Sequence, residues 1–278
     1  MIVEQTEVKS IDSSDLDLFI RATEPQLRER GVFIAETANV CLRAIEEGYV
    51  PLSMLVERQR LDVEAGPVLE AVRDHLGEDP GTLNVYVADR SELCDLTGYA
   101  LVRGLWMAFK RKDETSVHEF IEGKKRIAVL MDIAKPENVG AIFRSAAALG
   151  LDGVLLDHST VDPLTRRVSR VSMGTVFQIP WVKATREQSE GTKLIDILKS
   201  SGMTTVAMAL TPGSISIDSD EIRGHEKIAV VLGNEGRGLR REVIEACDYK
   251  AVIPMHRGVD SLNVAAASAI SFWEIQKR

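Results

Sequence analysis

The chain reads as an α/β protein of two domains, on two observations. From Arg126 onward, apolar runs of strand length alternate with segments of helical period, and those runs are apolar at nearly every position. Strands buried on both faces of a parallel sheet covered by helices have that pattern. Before that point the elements are shorter and mixed, and the polar run Lys110 to Glu122 has consecutive charges and no apolar period, so it reads as an interdomain linker. The division is placed near residue 115, giving domains 1–115 and 116–278, and 278 residues suffice for two modest cores.

In order along the chain, an amphipathic helix is expected around Ser14 to Arg30 as an N-terminal helical extension, and residues 1–30 carry no interpretable motif. GVFIAE, PLSMLVE, LNVYVADR and YALVRGLWMAF read as strands; TANVCLRAIEEG, VEAGPVLEAVRDHL and SELCDLTG read as helices between them. The second half opens with the strand RIAVLMDI, the helix GAIFRSAAALG and the strand GVLLD. PLTRRVSRVSMG (helix), VFQIPWV (strand), TKLIDILKSSG (helix) and TTVAMAL (strand) follow. KIAVVLG, the helical LRREVIEACD, YKAVIPM and a last helix from about Asn263 to Lys277 complete the series. No fixed-period repeat is visible, which excludes solenoids and propellers.

Composition is that of an ordinary globular protein, 45% hydrophobic and 27% charged. No apolar stretch approaches the length of a bilayer span, and the opening residues lack the basic start and apolar run of a secretory signal; cytoplasmic localisation and no membrane partner are expected. Cys41, Cys94 and Cys247 are scattered, without metal-ligand spacing, and Cys41 and Cys247 read as small buried fillers; no metal is expected. A net charge of -8 argues against indiscriminate wrapping of a polyanion. Local basic patches exist nonetheless: Lys110-Arg111-Lys112, Lys124-Lys125-Arg126, Arg166-Arg167 with Arg170, and Arg237 with Arg240-Arg241. Each is either a solvated face or a contact for phosphate.

Three segments stand at strand-to-helix junctions, where α/β proteins place ligands. The first is Asn138-Val139-Gly140 with Arg144. Pro136 ends the preceding strand, and Asn138 suits a helix cap as well as a polar contact in a cleft. Arg144 lies among Ile142, Phe143 and Ala146 to Ala148, so it either reaches to the surface or faces a polar cleft. The second is Leu232-Gly233-Asn234-Glu235-Gly236, whose glycines permit close approach of a ligand to backbone. Its spacing matches neither the dinucleotide fingerprint nor a phosphate loop, which makes NAD and ATP poor candidates. Glu235 can orient Arg144 or a ligand, or cap the helix starting near Leu239. The third is Ile253-Pro254-Met255 followed by Ser261-Leu262-Asn263, where Asn263 serves a ligand or the helix start. His158 and His256 lie near these segments and read as surface residues.

Taken in order, the three segments resemble the signature of the SpoU/TrmH family of RNA ribose 2′-O-methyltransferases. The resemblance implies a C-terminal SPOUT domain with a trefoil knot, preceded by a smaller α/β domain similar to ribosomal protein L30e that binds substrate RNA. It implies methyl transfer from S-adenosylmethionine to a ribose 2′-hydroxyl of rRNA or tRNA, and a homodimer, for which the apolar last helix with Ile270, Phe272 and Trp273 offers a surface. Carried over by position, Arg144, Asn138, Glu235, Ser261 and Asn263 are catalytic candidates, Arg144 centrally so. Leu232, Gly233, Gly236, Ile253, Met255 and Leu262 are cofactor-binding candidates. Asp162-Pro163-Leu164 through Gly174 resembles the family's intervening segment, so Arg170 and Ser172, with Arg103, Lys110, Arg111 and Lys112 of the first domain, are RNA-binding candidates. A guanidinium is effectively always protonated, so Arg144 is better suited to hold a phosphate and the 2′-oxygen than to accept a proton. The alternative is a non-catalytic RNA-binding protein of the same fold.

Overall fold

The structure, a computed structural model, describes residues 2–8, 16–76, 82–97 and 104–276, with the side chains of residues 76 and 94–97 outside that description. The chain forms two compact units: residues 1–113 with 164–177, and residues 114–163 with 178–278. The expected linear division near 115 therefore differs from the structure in one respect. Leu164–Phe177 leaves the second sheet's sequence and packs within the first unit.

The first unit contains β1 (Ile2–Glu7), α1 (Asp17–Ile20), α2 (Glu24–Glu29), β2 (Val32–Glu36), α3 (Ala38–Glu46), β3 (Pro51–Glu57), α4 (Gly66–Leu76), β4 (Thr82–Ala88), α5 (Arg90–Thr97) and β5 (Leu105–Lys110). Its sheet has the order β1-β4-β3-β5-β2, with β1, β4 and β3 parallel and β5 antiparallel to both β3 and β2. Two expectations are corrected here. The N-terminal segment supplies an edge strand as well as helix, and the single helix expected at Ser14 to Arg30 is two short ones, because Pro25 opens a new helix after Thr23. A strand read across YALVRGLWMAF starts, among the described residues, only at Leu105.

The second unit begins with α6 (Val117–Ile121), which occupies what the sequence suggested was linker: Val117, Phe120 and Ile121 are buried, an i, i+3, i+4 stripe too short to register as a period. It continues with β6 (Arg126–Leu130), α7 (Pro136–Ala148) and β7 (Gly153–Leu156). α8 (Arg166–Val171) and all but the last residue of α9 (Thr175–Gln178) lie in the segment belonging to the first unit. Then come β8 (Trp181–Lys183), α10 (Lys193–Ser200), β9 (Thr204–Met208), β10 (Ile215–Ser216), α11 (Asp220–Arg223), β11 (Ile228–Leu232), α12 (Arg241–Ala246), β12 (Tyr249–Val252) and α13 (Val264–Gln276). The expected strand VFQIPWV is a turn of helix followed by a three-residue strand, since Pro180 between them cannot donate to a ladder.

All seven strands run parallel, in the order β10-β12-β9-β11-β6-β7-β8. Alternation along each strand feeds two cores. Ile127, Val129, Leu155, Val182, Ala207 and Val231 pack with Leu194, Ile195 and Leu198 of α10 and Val243 of α12. Ala128, Leu130, Val154, Leu156, Val206 and Val230 are buried on the opposite face, where α7 packs on β7 and α13 packs on both α7 and β11. Each large apolar side chain so buried contributes about 1.5–3 kcal/mol. The chain advances from β6 through β7 to β8, then crosses back to build β9, β11 and β12 on the other side of β6. Strand order thus reverses between β6 and β11, and ligands of such sheets bind outside the carboxyl ends at that point.

Candidate functional site

β6 and β11 are neighbours in register, with Leu232 opposite Leu130, so the loops that follow them emerge side by side. In the first loop, Asn138 is not the helix cap expected. Lys135 occupies that position without a side-chain cap bond, and Pro136 starts the helix. Asn138 sits inside the first turn, 6% exposed, and its side chain is spent on tertiary contacts. Nδ2 donates to Glu235 Oε1 at 2.7 Å, and Oδ1 accepts from Asn263 Nδ2 at 3.1 Å. One asparagine therefore joins all three sequence segments.

Glu235 also accepts from the backbone N–H of Lys135 at 3.1 Å and of Ala134 at 3.4 Å. It serves the start of α7 rather than the helix after Leu239. Partial burial pushes its carboxyl up, but the hydrogen bonds from Asn138 and from the Lys135 and Ala134 backbone outweigh that and hold it below the usual carboxylate range. At neutral pH it is a carboxylate whose lone pairs are already engaged. Asn263 serves the helix start, its Oδ1 accepting from Ala265 N at 2.9 Å at the beginning of α13, while its Nδ2 donates to Asn138.

Asn234 is a residue the sequence reading quoted without assigning. Its Nδ2 donates to Asp132 O at 2.8 Å, and its Oδ1 accepts from Gly236 N and Arg237 N at 2.9 and 3.0 Å. It folds the second loop and staples it to the first. An Asn in a glycine-rich loop signals an Asx-type turn, which is how it could have been found. Beneath lies a second buttress: Asp157, 5% exposed, accepts from the N–H of Asp132 and Thr160 and from the hydroxyls of Ser159 and Thr160. It fixes Asp132 at φ 58° just before the first loop.

Arg144 is exposed and makes no hydrogen bond or ion pair among the described residues. Six positions beyond Asn138, it faces another side of α7, so the structure does not bring it into the Asn138-Glu235-Asn263 chain. Its guanidinium is left entirely to an incoming group.

Beyond β9 and β12, a cavity of about 310 Å³ is lined by Met208–Leu210, Ala251–Met255, Val259–Leu262 and Ala267. Ile253, Met255, Leu262 and Ser261 lie in this wall. Leu232 does not: it is 1% exposed, and its carbonyl accepts from Met131 N. Gly233 and Gly236 do not line it either; Gly233 packs against the backbone of Gly238 and Leu239, and Gly236 turns the loop. The end of β9 was missed, although an apolar run ending in an exposed Leu210 was its signal.

Among the RNA-binding candidates, Ser172 is fully buried, with its hydroxyl donating to Ser169 O, and it cannot contact a substrate. Arg170 is ion-paired with Glu36 at 2.5 Å. Lys112 donates to Glu47 O and stands 4.4 Å from the centre of the Tyr49 ring. Lys110 is exposed, Arg111 is half-buried, and Arg103 lies outside the described residues. Arg126, read as part of a basic patch, is buried and donates to the carbonyls of Ile275, Glu226 and His225. Cys41 and Cys247 are buried, and desolvation raises both thiols, that of Cys247 to about 11, so neither is a thiolate near neutrality. His158 and His256 are exposed.

The sequence pattern of the SpoU rRNA methylase family matches residues 125–273. A relative from Mycobacterium bovis, an uncharacterized tRNA/rRNA methyltransferase, is 33% identical over 246 residues, 88% of this chain and 81% of that one. The fold is similar to an AdoMet-bound rRNA methyltransferase from Sinorhizobium meliloti, with a TM-score of 0.80 at 23% identity over 98% of each chain. It is also similar to an RNA 2′-O ribose methyltransferase, with a TM-score of 0.76 at 24% identity over 98% of each chain. Because the family pattern falls on the unit that carries all three loops, and the relative's likeness extends over most of the remainder, the chain belongs to the SpoU rRNA methylase family.

Proposed function

We propose that the protein transfers a methyl group from S-adenosylmethionine to a ribose 2′-hydroxyl of rRNA or tRNA, with Arg144 as the residue that meets the substrate. The observation that carries this is the free, exposed guanidinium of Arg144 on the helix whose first turn is locked to the other two loops by Asn138. The cavity between the ends of β9 and β12 suits the cofactor, since its walls are mostly apolar side chains and strand-end backbone with Asp260 and Ser261 at one side. Ile253, Met255 and Leu262 would hold it there, and when bound it supplies an electrophilic methyl on a sulfonium.

The chain's own residues then have to place an oxygen and take care of charge. Glu235 is a poor proton acceptor, being already held as a saturated carboxylate; with Asn138, Asn234 and Asn263 it positions the loops. Arg144 binds the neighbouring phosphate and the 2′-oxygen and stabilises negative charge as the hydroxyl proton passes to solvent water and the oxygen takes the methyl group. A second copy of the chain and the trefoil knot belong to the same reading. Ile270 and Trp273 are 37% and 55% exposed on α13 beside α7, where a partner copy would cover them.

The test is the Arg144→Ala variant assayed with labelled S-adenosylmethionine and bulk RNA. Methyl transfer should fall by about 100-fold or more while cofactor binding by calorimetry is retained. Transfer at the parental rate would overturn the assignment, and RNA binding by the parent chain without any transfer would favour the non-catalytic alternative.

A further inference from the structure

A second and larger cavity, about 480 Å³, opens beside the β11 loop, and neither the cofactor reading nor Arg144 uses it. Glu235 points to the start of α7, whereas Arg237 to Arg240 turn toward this cavity, whose remaining walls are the ends of β6 and β7 and the turn at Arg186 to Gly191.

The inventory of donors and acceptors in that space is one-sided. Its three acids are already occupied. Asp157 accepts four hydrogen bonds from neutral groups, Asp132 holds Arg237 at 2.7 Å, and Glu190 holds Lys193 at 3.1 Å. The Ser189 hydroxyl accepts from His158 N and donates to Thr185 O. Donors, by contrast, remain. Arg186 is exposed and has no partner among the described residues, and the His158 ring is likewise unengaged. Arg237 is 80% exposed and gives one of its five N–H groups to Asp132. Arg240 is tied to Glu242 and to the carbonyls of Gly191 and Ser189, which fixes its guanidinium at the rim. A ligand complementary to this space is rich in acceptors, places an anionic group at Arg186 away from the occupied acids, and is about the size of a nucleotide. An exposed pair such as Arg237–Asp132 is worth about 0–1 kcal/mol, so Arg237 is readily redirected to it.

We infer that this cavity is a subsite for the ribose-phosphate backbone of the single-stranded RNA flanking the methylated nucleotide, with Arg186 as its principal phosphate contact. The inference rests on the proposed RNA substrate. Asp132, Arg237 and Gly238 line the cavity, and the Asn234 side chain, donating to Asp132 O, holds the two loops together at its edge.

The experiment uses the full chain, its Arg186→Ala, Arg186→Glu and Arg186→Lys variants, and a fluorescein-labelled single-stranded RNA of mixed sequence. Anisotropy titrations over a range of salt should show Arg186→Ala weakening binding several-fold and lowering the slope of log affinity against log salt by about 0.7, the value for one phosphate contact on a single strand. Arg186→Glu should weaken it further, and Arg186→Lys should restore the slope. Cofactor binding and melting temperature, unchanged in all three, would show that the fold is intact. Parental affinity and slope in Arg186→Ala overturn the subsite, as does the absence of RNA binding by the parent chain. A parent chain that binds RNA with an Arg186-dependent slope but transfers no methyl group leaves the subsite standing and removes the proposed activity. A chain that methylates RNA with an unchanged KM in Arg186→Ala does the reverse.

Discussion

Asn138 shows how little a residue type says about its use. Its position before a helix suggested a cap, yet the structure gives the cap position to Lys135 and turns the Asn138 amide into a link between Glu235 and Asn263. Glu235 is the charged end of that link, with a consequence for pH. Because its folded pKa lies below the ordinary value, it contributes stability that is present above about pH 4 and is lost as pH falls through the lowered value. A Glu235→Gln variant should melt below the parent at neutral pH, and the difference should shrink as the medium is made more acid than about pH 4. A constant difference through that range would mean that the carboxylate charge is not what holds the loops.

The strands and the loops that follow them obey different rules. β6, β7 and β11 are apolar nearly throughout and buried at every position, while β9 is buried at its three central residues. Elements that failed to announce themselves are short ones. α6 has too few residues for a period, and β8 is preceded by a turn of helix that an apolar run cannot distinguish from strand. The loop after β11 depends on one glycine for close approach. A Cβ at Gly233 would lie 2.5 Å from Leu239 N and 2.6 Å from Gly238 C, which are backbone atoms with no rotamer to yield. Gly233→Ala should therefore destabilise the chain by about 1–3 kcal/mol in denaturant titration, by displacing the loop. A variant as stable as the parent would show that the loop relaxes freely.

At the scale of the molecule, the parallel sheet gathers loops that are far apart in sequence. Asn138 and Asn263 are joined across 125 positions and Asn138 and Glu235 across 97, through β11 lying beside β6 and α13 packing back on α7. α13 carries large apolar side chains on two faces: Phe272 and Ile275 fill the core while Ile270 and Trp273 face outward. We propose that a second copy of the chain covers that outward apolar face. Trp273→Glu should accordingly shift the proposed homodimer to monomer in light scattering, with the far-ultraviolet spectrum unchanged. A parent chain that is monomeric across the accessible concentration range would refute that assembly. No helix among the described residues is long and apolar enough to cross a membrane.

The sequence by itself determined the α/β class, the parallel sheet of the second half and the three segments that define the family, because burial on both faces and glycine-bearing turns leave local signatures. The tertiary structure alone decided which side chains meet. Asn138 became a bridge, Ser172 and Arg126 were removed from any surface role by burial, and Leu164–Phe177 was taken into the first unit. It also kept the Arg144 guanidinium out of the hydrogen-bonded chain and set the end of the β11 loop against the 480 Å³ cavity. Hydrogen bonds between distant loops depend on strand order and helix rotation. Neither is written in the local periodicity of the chain, which fixes what a segment buries but not what it is buried against.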